Sequence, residues 1–144
     1  MIQIGPHHYR YFATLDDRGV RIRCERFIVV GETPLCWYVV PDRLAYLIGS
    51  SWDWAPALIK TARRRVLKES SGRRHCYPDK IKALESFIAR QTFRIRHAKR
   101  SLSTAELSMK VAKRLLDAGE LPDDHQSHPC GHDKYTSSLN WSDC

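Results

Sequence analysis

The residues best suited to chemistry in this chain are its arginines. Arg63-Arg64-Arg65 and Arg73-Arg74 form two clusters. Arg90, Arg94, Arg96, Lys99 and Arg100 follow at closer to helical spacing. A guanidinium is a planar fork of donors that stays charged at every ordinary pH, and it matches phosphate or carboxylate two oxygens at a time. From Leu58 to Arg100 there are 14 basic and three acidic residues, a charge of +11, while the rest of the chain carries −3. Charge concentrated in this way makes a local positive field that steers acidic partners. Aromatic side chains at Trp52, Trp54, Tyr77 and Phe93 offer stacking surfaces near these cations in sequence.

Other chemistries are weaker in the pattern. His125, His128, Cys130 and His132 are zinc-ligand types in a short run, but the spacing is not that of paired structural ligands. The expectation is no cofactor, with zinc on these four residues as the alternative. Cys76 beside His75, or Cys130 beside His132, would be nucleophile–base pairs, yet catalytic partners meet in the fold rather than as sequence neighbours. Serine-hydrolase, zinc-protease, phosphate-loop and dinucleotide motifs do not occur. Carboxylates that could hold catalytic metals are scarce where the positive charge is concentrated. The chain reads as a binding protein and not as an enzyme.

Elements must hold these groups in place. His8–Leu15, Val20–Val30 and Leu35–Val40 read as strands, separated by turns at Asp16-Asp-Arg-Gly19 and Gly31-Glu-Thr-Pro34. Val20, Ile22 and Cys24 alternate with Arg21, Arg23 and Glu25, which predicts a strand buried on one face. Ser50–Pro56 reads as a loop, Ala57–Leu67 is ambiguous with a fourth strand near Arg65–Leu67, Ser70–Gly72 is a loop, and Arg73–Tyr77 is an edge-strand candidate. Asp79 is a helix N-cap candidate. Ile81, Ile88, Ile95, Leu102, Met109 and Leu116 then recur every seventh residue, and Leu84, Gln91, Ala98, Ala105 and Ala112 stand three residues after the first five. This is a heptad pattern from Asp79 to Ala118. Ser103-Thr-Ala-Glu106 resembles a capping box, so one rod and a hairpin are both consistent with it. Phe87 and Phe93 lie off the seam, which predicts that the helix's first half also packs on the sheet. The fold expected is α+β: an antiparallel sheet of three to five short strands over 1–78, a long helix or helical hairpin over 79–118, and an irregular tail over 119–144, in one structural domain.

The run Arg73-Arg-His-Cys-Tyr-Pro-Asp-Lys-Ile-Lys-Ala-Leu-Glu-Ser-Phe-Ile-Ala-Arg90 resembles a pattern of small phage and prophage proteins: a basic pair followed by Y-P-x(4)-A-L-x-S-F-x-x-R. Tyr77, Pro78, Ala83, Leu84, Ser86, Phe87 and Arg90 match it. The resemblance spans about residues 60–100 and assigns no catalytic group. It implies a mobile-element protein that inhibits or modulates a host defence complex such as CRISPR–Cas machinery, in the cytoplasm of a bacterial host. The partner expected is an acidic protein surface or nucleoprotein complex, with non-specific nucleic-acid binding as the alternative and a homodimer through the helix as an option. The five scattered cysteines read as reduced thiols. No apolar run approaches the roughly 18 residues of a membrane span, and no membrane partner is expected.

Overall fold

Turn chemistry sets the first half of the fold. The structure, a computed structural model, describes residues 4–69 and 72–137. Ser70, Ser71 and Cys144 lie outside the described residues. Strand β1 (His8–Asp16) reverses through Asp17-Arg18 into β2 (Gly19–Glu32). Gly19 sits at φ 103°, where a side chain would be strained, and the Asp16 carboxylate accepts the Arg18 N–H at 2.8 Å. Strand β3 (Cys36–Pro41) returns after Pro34-Leu35, and β4 (Arg64–Leu67) closes an antiparallel meander in the order β1-β2-β3-β4. The fourth strand lies where the sequence places it.

Between β3 and β4 run a 3-10 helix (Asp42–Leu47) and α1 (Ala55–Ala62). The start of α1 differs from the loop expected over Ser50–Pro56. Pro56 stands in the first helical turn, where its missing N–H costs nothing and its ring presets φ. The 3-10 helix and α1 both touch β3, and Leu47 and Ala55 are buried.

The other face of the sheet holds the main core: Phe27, Val29, Val39, Val66 and Cys76, with Trp37 packed against them. Gly5 lies flat on the Trp37 ring; a Cβ there would fall 2.7 Å from the indole. Only the near half of the first hairpin joins this core. Pairing of β2 with β3 begins at Phe27, so no third strand flanks the tip. Val20, Ile22 and Cys24 are therefore exposed, against the half-buried face expected for them. Of the edge strand expected over Arg73–Tyr77, only Tyr77 pairs, in an isolated bridge to Tyr9. Pro78, which has no N–H to donate, follows immediately.

Helix α2 (Lys80–Ala118) begins at an Asp79 cap, whose carboxylate accepts the Ile81 N–H at 2.8 Å. It runs through Ser103 without a break. The hydroxyls of Thr104 and Ser108 donate to carbonyls four residues back, at 2.8 Å each. Ser103, the cap of the expected box, lies buried in the middle of the helix, so no second helix starts there. Gly119, at φ 70°, ends it: its N–H reaches the Leu116 carbonyl and that of Glu120 the Leu115 carbonyl. This crossed pair satisfies carbonyls that the last turn leaves open. The chain forms two compact units, Met1–Ala89 and Arg90–Cys144, and α2 contributes to both. In the first unit Ala83 and Phe87, one turn apart, are the buried residues of the helix. Phe93, expected to pack like Phe87, is partly exposed. Among the described residues no helix is long and apolar enough to cross a membrane.

Two outcomes test this packing. Leu47→Ala should cost about 2–5 kcal/mol, read as a lower urea midpoint with unchanged slope. His8 is buried with its Nδ1 2.9 Å from the Pro6 carbonyl. Burial holds its pKa below the ordinary 6.5; the Pro6 bond opposes that, and the charge of Arg74 adds to it. The unfolded chain thus takes up a proton before the folded one. Stability should be full above about pH 6.5 and fall as the pH drops below it, and His8→Gln should flatten that fall.

Candidate functional site

The second unit carries Arg90, Arg94, Arg96, Lys99 and Arg100 on α2. At about 100° per residue, Arg90, Arg94 and His97 share one face, and Arg96, Lys99 and Arg100 continue the charge around the helix. Arg94, Arg96 and Lys99 are exposed. Arg94 donates to the Gln91 side-chain oxygen at 3.3 Å. Glu85 is the sole carboxylate between Lys80 and Arg100, so the alternating signs that stabilise an ordinary solvated helix are missing.

The tail organises the end of this segment. Arg100 donates from Nε to the Tyr135 carbonyl at 3.4 Å, and the Lys99 ammonium lies 5.7 Å from the Tyr135 ring centre. Asp133 anchors the turn that presents Tyr135. Its carboxylate accepts the N–H groups of Tyr135 at 2.8 Å and Thr136 at 3.0 Å, and the Thr136 hydroxyl at 3.2 Å. Desolvation alone would raise its pKa, but these bonds, with one from the Ser103 hydroxyl, hold it below the usual carboxylate value. Residues 119–137 contain no helix or strand, yet they are tied to α2 within their own unit.

The first unit holds the other predicted cations. Arg63, at the C-terminus of α1, stacks 4.6 Å from the Tyr38 ring centre. Arg65 pairs with Tyr38 across β3 and β4, and Arg64 pairs with Val39. Side chains paired this way share a face, so Arg64 and Arg65 point to opposite sides of the edge strand. Lys68, on the same edge, bridges to Glu32 at 2.7 Å and lies 4.1 Å from the Trp37 ring centre. Arg73 is exposed; Arg74 donates its N–H to the Tyr77 hydroxyl at 3.3 Å. The predicted cations therefore divide between the two units.

Two features of the first unit were missed or underweighted by the sequence. One is a cleft of about 520 Å³ lined by Arg23, Arg26, Arg43, Lys80 and Tyr9 together with Glu25 and Asp42. Arg26 contacts Asp42 at 2.6 Å, Arg43 contacts Glu25 at 3.3 Å, and Lys80 lies 4.9 Å from the Tyr9 ring centre. Its cations come from three separate elements, which no spacing in the sequence reveals. The other is an exposed aromatic group. Trp52 and Trp54 stack with ring centres 5.2 Å apart, and Tyr46 meets Trp52 edge-on at 6.2 Å. The Trp-Asp-Trp spacing hinted at it.

The cysteine and histidine candidates lie in different surroundings. Cys76 is fully buried, and burial pushes its thiol up to about 12 despite Arg10 nearby. It stays protonated near neutrality, while His75 stands edge-on against Phe27. His125, His128, Cys130 and His132 are strung along the tail, and among the described residues no three metal-ligating side chains gather. Comparison of the chain with protein-family models, with curated proteins and with solved structures finds no match.

Thiol labelling checks this assignment. Cys24, on the exposed hairpin, should react rapidly in the native protein, while Cys36 and Cys76 should wait for unfolding. Cys24→Ser should remove one equivalent of the rapid phase, and Cys76→Ser should leave that phase unchanged.

Proposed function

We propose that this protein works by binding, and that the basic stretch of α2 from Arg90 to Arg100 docks on an acidic surface of a protein or nucleoprotein complex. The observation that carries this reading is the density of cations along one helix, where Glu85 is the sole carboxylate in the sequence from Lys80 to Arg100 and Arg94, Arg96 and Lys99 are exposed. Arginine is the residue that most often anchors interfaces through paired bonds to carboxylates. The likeness of Arg73–Arg90 to phage and prophage proteins points further, to a mobile-element product that inhibits a host defence complex of the CRISPR–Cas kind in the bacterial cytoplasm.

One observation favours a second reading. The exposed Trp52–Trp54 stack and Tyr46 make a platform of the kind on which unpaired bases stack. On that reading the ligand is single-stranded nucleic acid, bound without sequence preference.

The two readings separate by salt. Nucleic-acid affinity should fall steeply between about 50 and 200 mM salt as counterions return to the phosphates, whereas a packed protein interface should weaken far less. The expected result is a protein complex retained from a bacterial lysate at the higher salt after nuclease treatment. Arg94→Glu with Arg96→Glu should weaken that capture about tenfold or more without changing the helical signal. Tight, steeply salt-dependent binding to single-stranded DNA or RNA, with no nuclease-resistant protein partner, would replace the first reading with the second. Binding untouched by the double substitution would remove this helix segment from the site.

A further inference from the structure

Within the second unit α2 has two apolar stripes, and among the described residues the tail covers one of them. Ser103 and Val111 are buried, and Arg100, Leu107 and Leu115 are half-buried. This stripe meets the returning chain: Ser103 bonds Asp133, Arg100 bonds the Tyr135 carbonyl, and Leu115 lines a cleft with Leu121 and Pro122. On nearly the opposite side of the helix runs the heptad seam. There Ile95 is 55% exposed, Leu102 59%, Met109 53% and Leu116 74%. Ala98, Ala105 and Ala112 between them are exposed as well. Isolated exposed apolar residues are ordinary. A row of them at one strict repeat is not, because that repeat keeps a seam facing a neighbouring helix of the same pitch.

We infer that the seam is the interface of an antiparallel homodimer, with Leu102 of each copy packed over Ala105 of the other. Shape selects the direction. In a parallel pair the alanines would face each other and leave voids between the larger layers. Antiparallel pairing sets each large residue against a small one: Ile95 on Ala112, Leu102 on Ala105, Met109 on Ala98. Alternating large and small residues fill such a layer without gaps. Charge selects the same arrangement. In this register Lys99 flanks Glu106 of the second copy, twice by symmetry, and opposite charges at such flanking positions set orientation. An in-register parallel pair would instead set Arg94 against Lys99.

The size is adequate. The register overlaps α2 from about residue 89 to 118, or roughly 45 Å of helix at 1.5 Å per residue. A stripe about 12 Å wide over that length buries on the order of 1,100 Å² in the pair, near the low end of specific interfaces, which suits a dimer that dissociates at micromolar concentrations. A consequence follows for the basic segment. The two copies' cations around Arg96 would lie about 22 Å apart along the interface, counted at 1.5 Å per residue about a two-fold axis near Ser103. A target with two acidic patches at that spacing would then be held twice. The dimer itself does not depend on what those cations bind.

Sedimentation velocity of the full chain under reducing conditions, from about 1 to 200 µM, decides the matter. The expected result is a reversible rise from 16.7 kDa towards twice that mass. Leu102→Glu should hold the protein at the monomer mass across the range with an unchanged circular-dichroism spectrum. The direction is read independently from exposed charges. Lys99→Glu and Glu106→Lys should each weaken the dimer several-fold, and the double swap should restore it. A wild-type protein that stays monomeric at 200 µM overturns the proposal, as does a dimer that survives Leu102→Glu. Strengthening by Lys99→Glu alone overturns the antiparallel register, because that charge would favour Arg94 in a parallel pair.

Discussion

The first unit depends on how the free edge of β1 is satisfied. A terminal strand presents a row of backbone donors and acceptors that must be paired or solvated. Here the chain returns after β4 and places Tyr77 against Tyr9, with N–H to carbonyl bonds of 2.6 and 3.0 Å in the two directions. Arg10 reinforces the junction by donating to the His75 carbonyl. Between these bonds Cys76 enters the core beside Phe27, Val29, Val39 and Val66. The contact is short, because Pro78 follows and cannot donate. Its brevity sets where α2 starts: Asp79 caps the first turn immediately afterwards, and Lys80 comes to lie over Tyr9. One backbone bridge thus positions the helix start, a buried thiol and one wall of the basic cleft.

Charge and packing divide the helix between them. Its N-terminal turns bury Ala83 and Phe87 in the first unit. Its middle, from Arg90 to Arg100, carries cations on most of its circumference. Its C-terminal turns are clothed on one side by a segment with no regular structure. Asp133 makes that segment specific, since its carboxylate collects two backbone N–H groups and two hydroxyls. The result is a helix whose polar tail is its cover and whose most regular apolar stripe is left outside. One helix thus changes character along its length, from buried apolar turns through a cationic middle to turns partly covered by the tail.

Much of the fold was legible because it rests on local chemistry. Asp16, Gly19 and Pro34 mark their turns through backbone geometry alone, and the four-strand meander follows from alternation and short connections. Asp79 and Gly119 bracket α2 through cap and left-handed stop. The errors lie where a long-range neighbour decides. Val20, Ile22 and Cys24 alternate like a buried face, yet β3 is too short to flank them. Pro56 looked like part of a loop because its role depends on the helix continuing after it. Phe87 and Phe93 are the same residue type on the same helix, and Phe87 is far more deeply buried. The basic cleft joins β1, β2, the 3-10 helix and the first residue of α2, so its cations have no common spacing.

The sequence by itself determined the meandering strands and the bounds of the long helix, the concentration of positive charge and the existence of a seven-residue apolar repeat. These are properties of neighbours a few residues apart, governed by backbone dihedrals, helix pitch and composition. The tertiary structure decided what each of these surfaces meets. It buried Cys76 and so kept its thiol protonated, divided the arginines between two units, and laid the tail on the face of α2 opposite the seam. Burial depends on contacts between residues distant in the chain, and a periodic pattern records which residues share a face without recording what, if anything, lies against it.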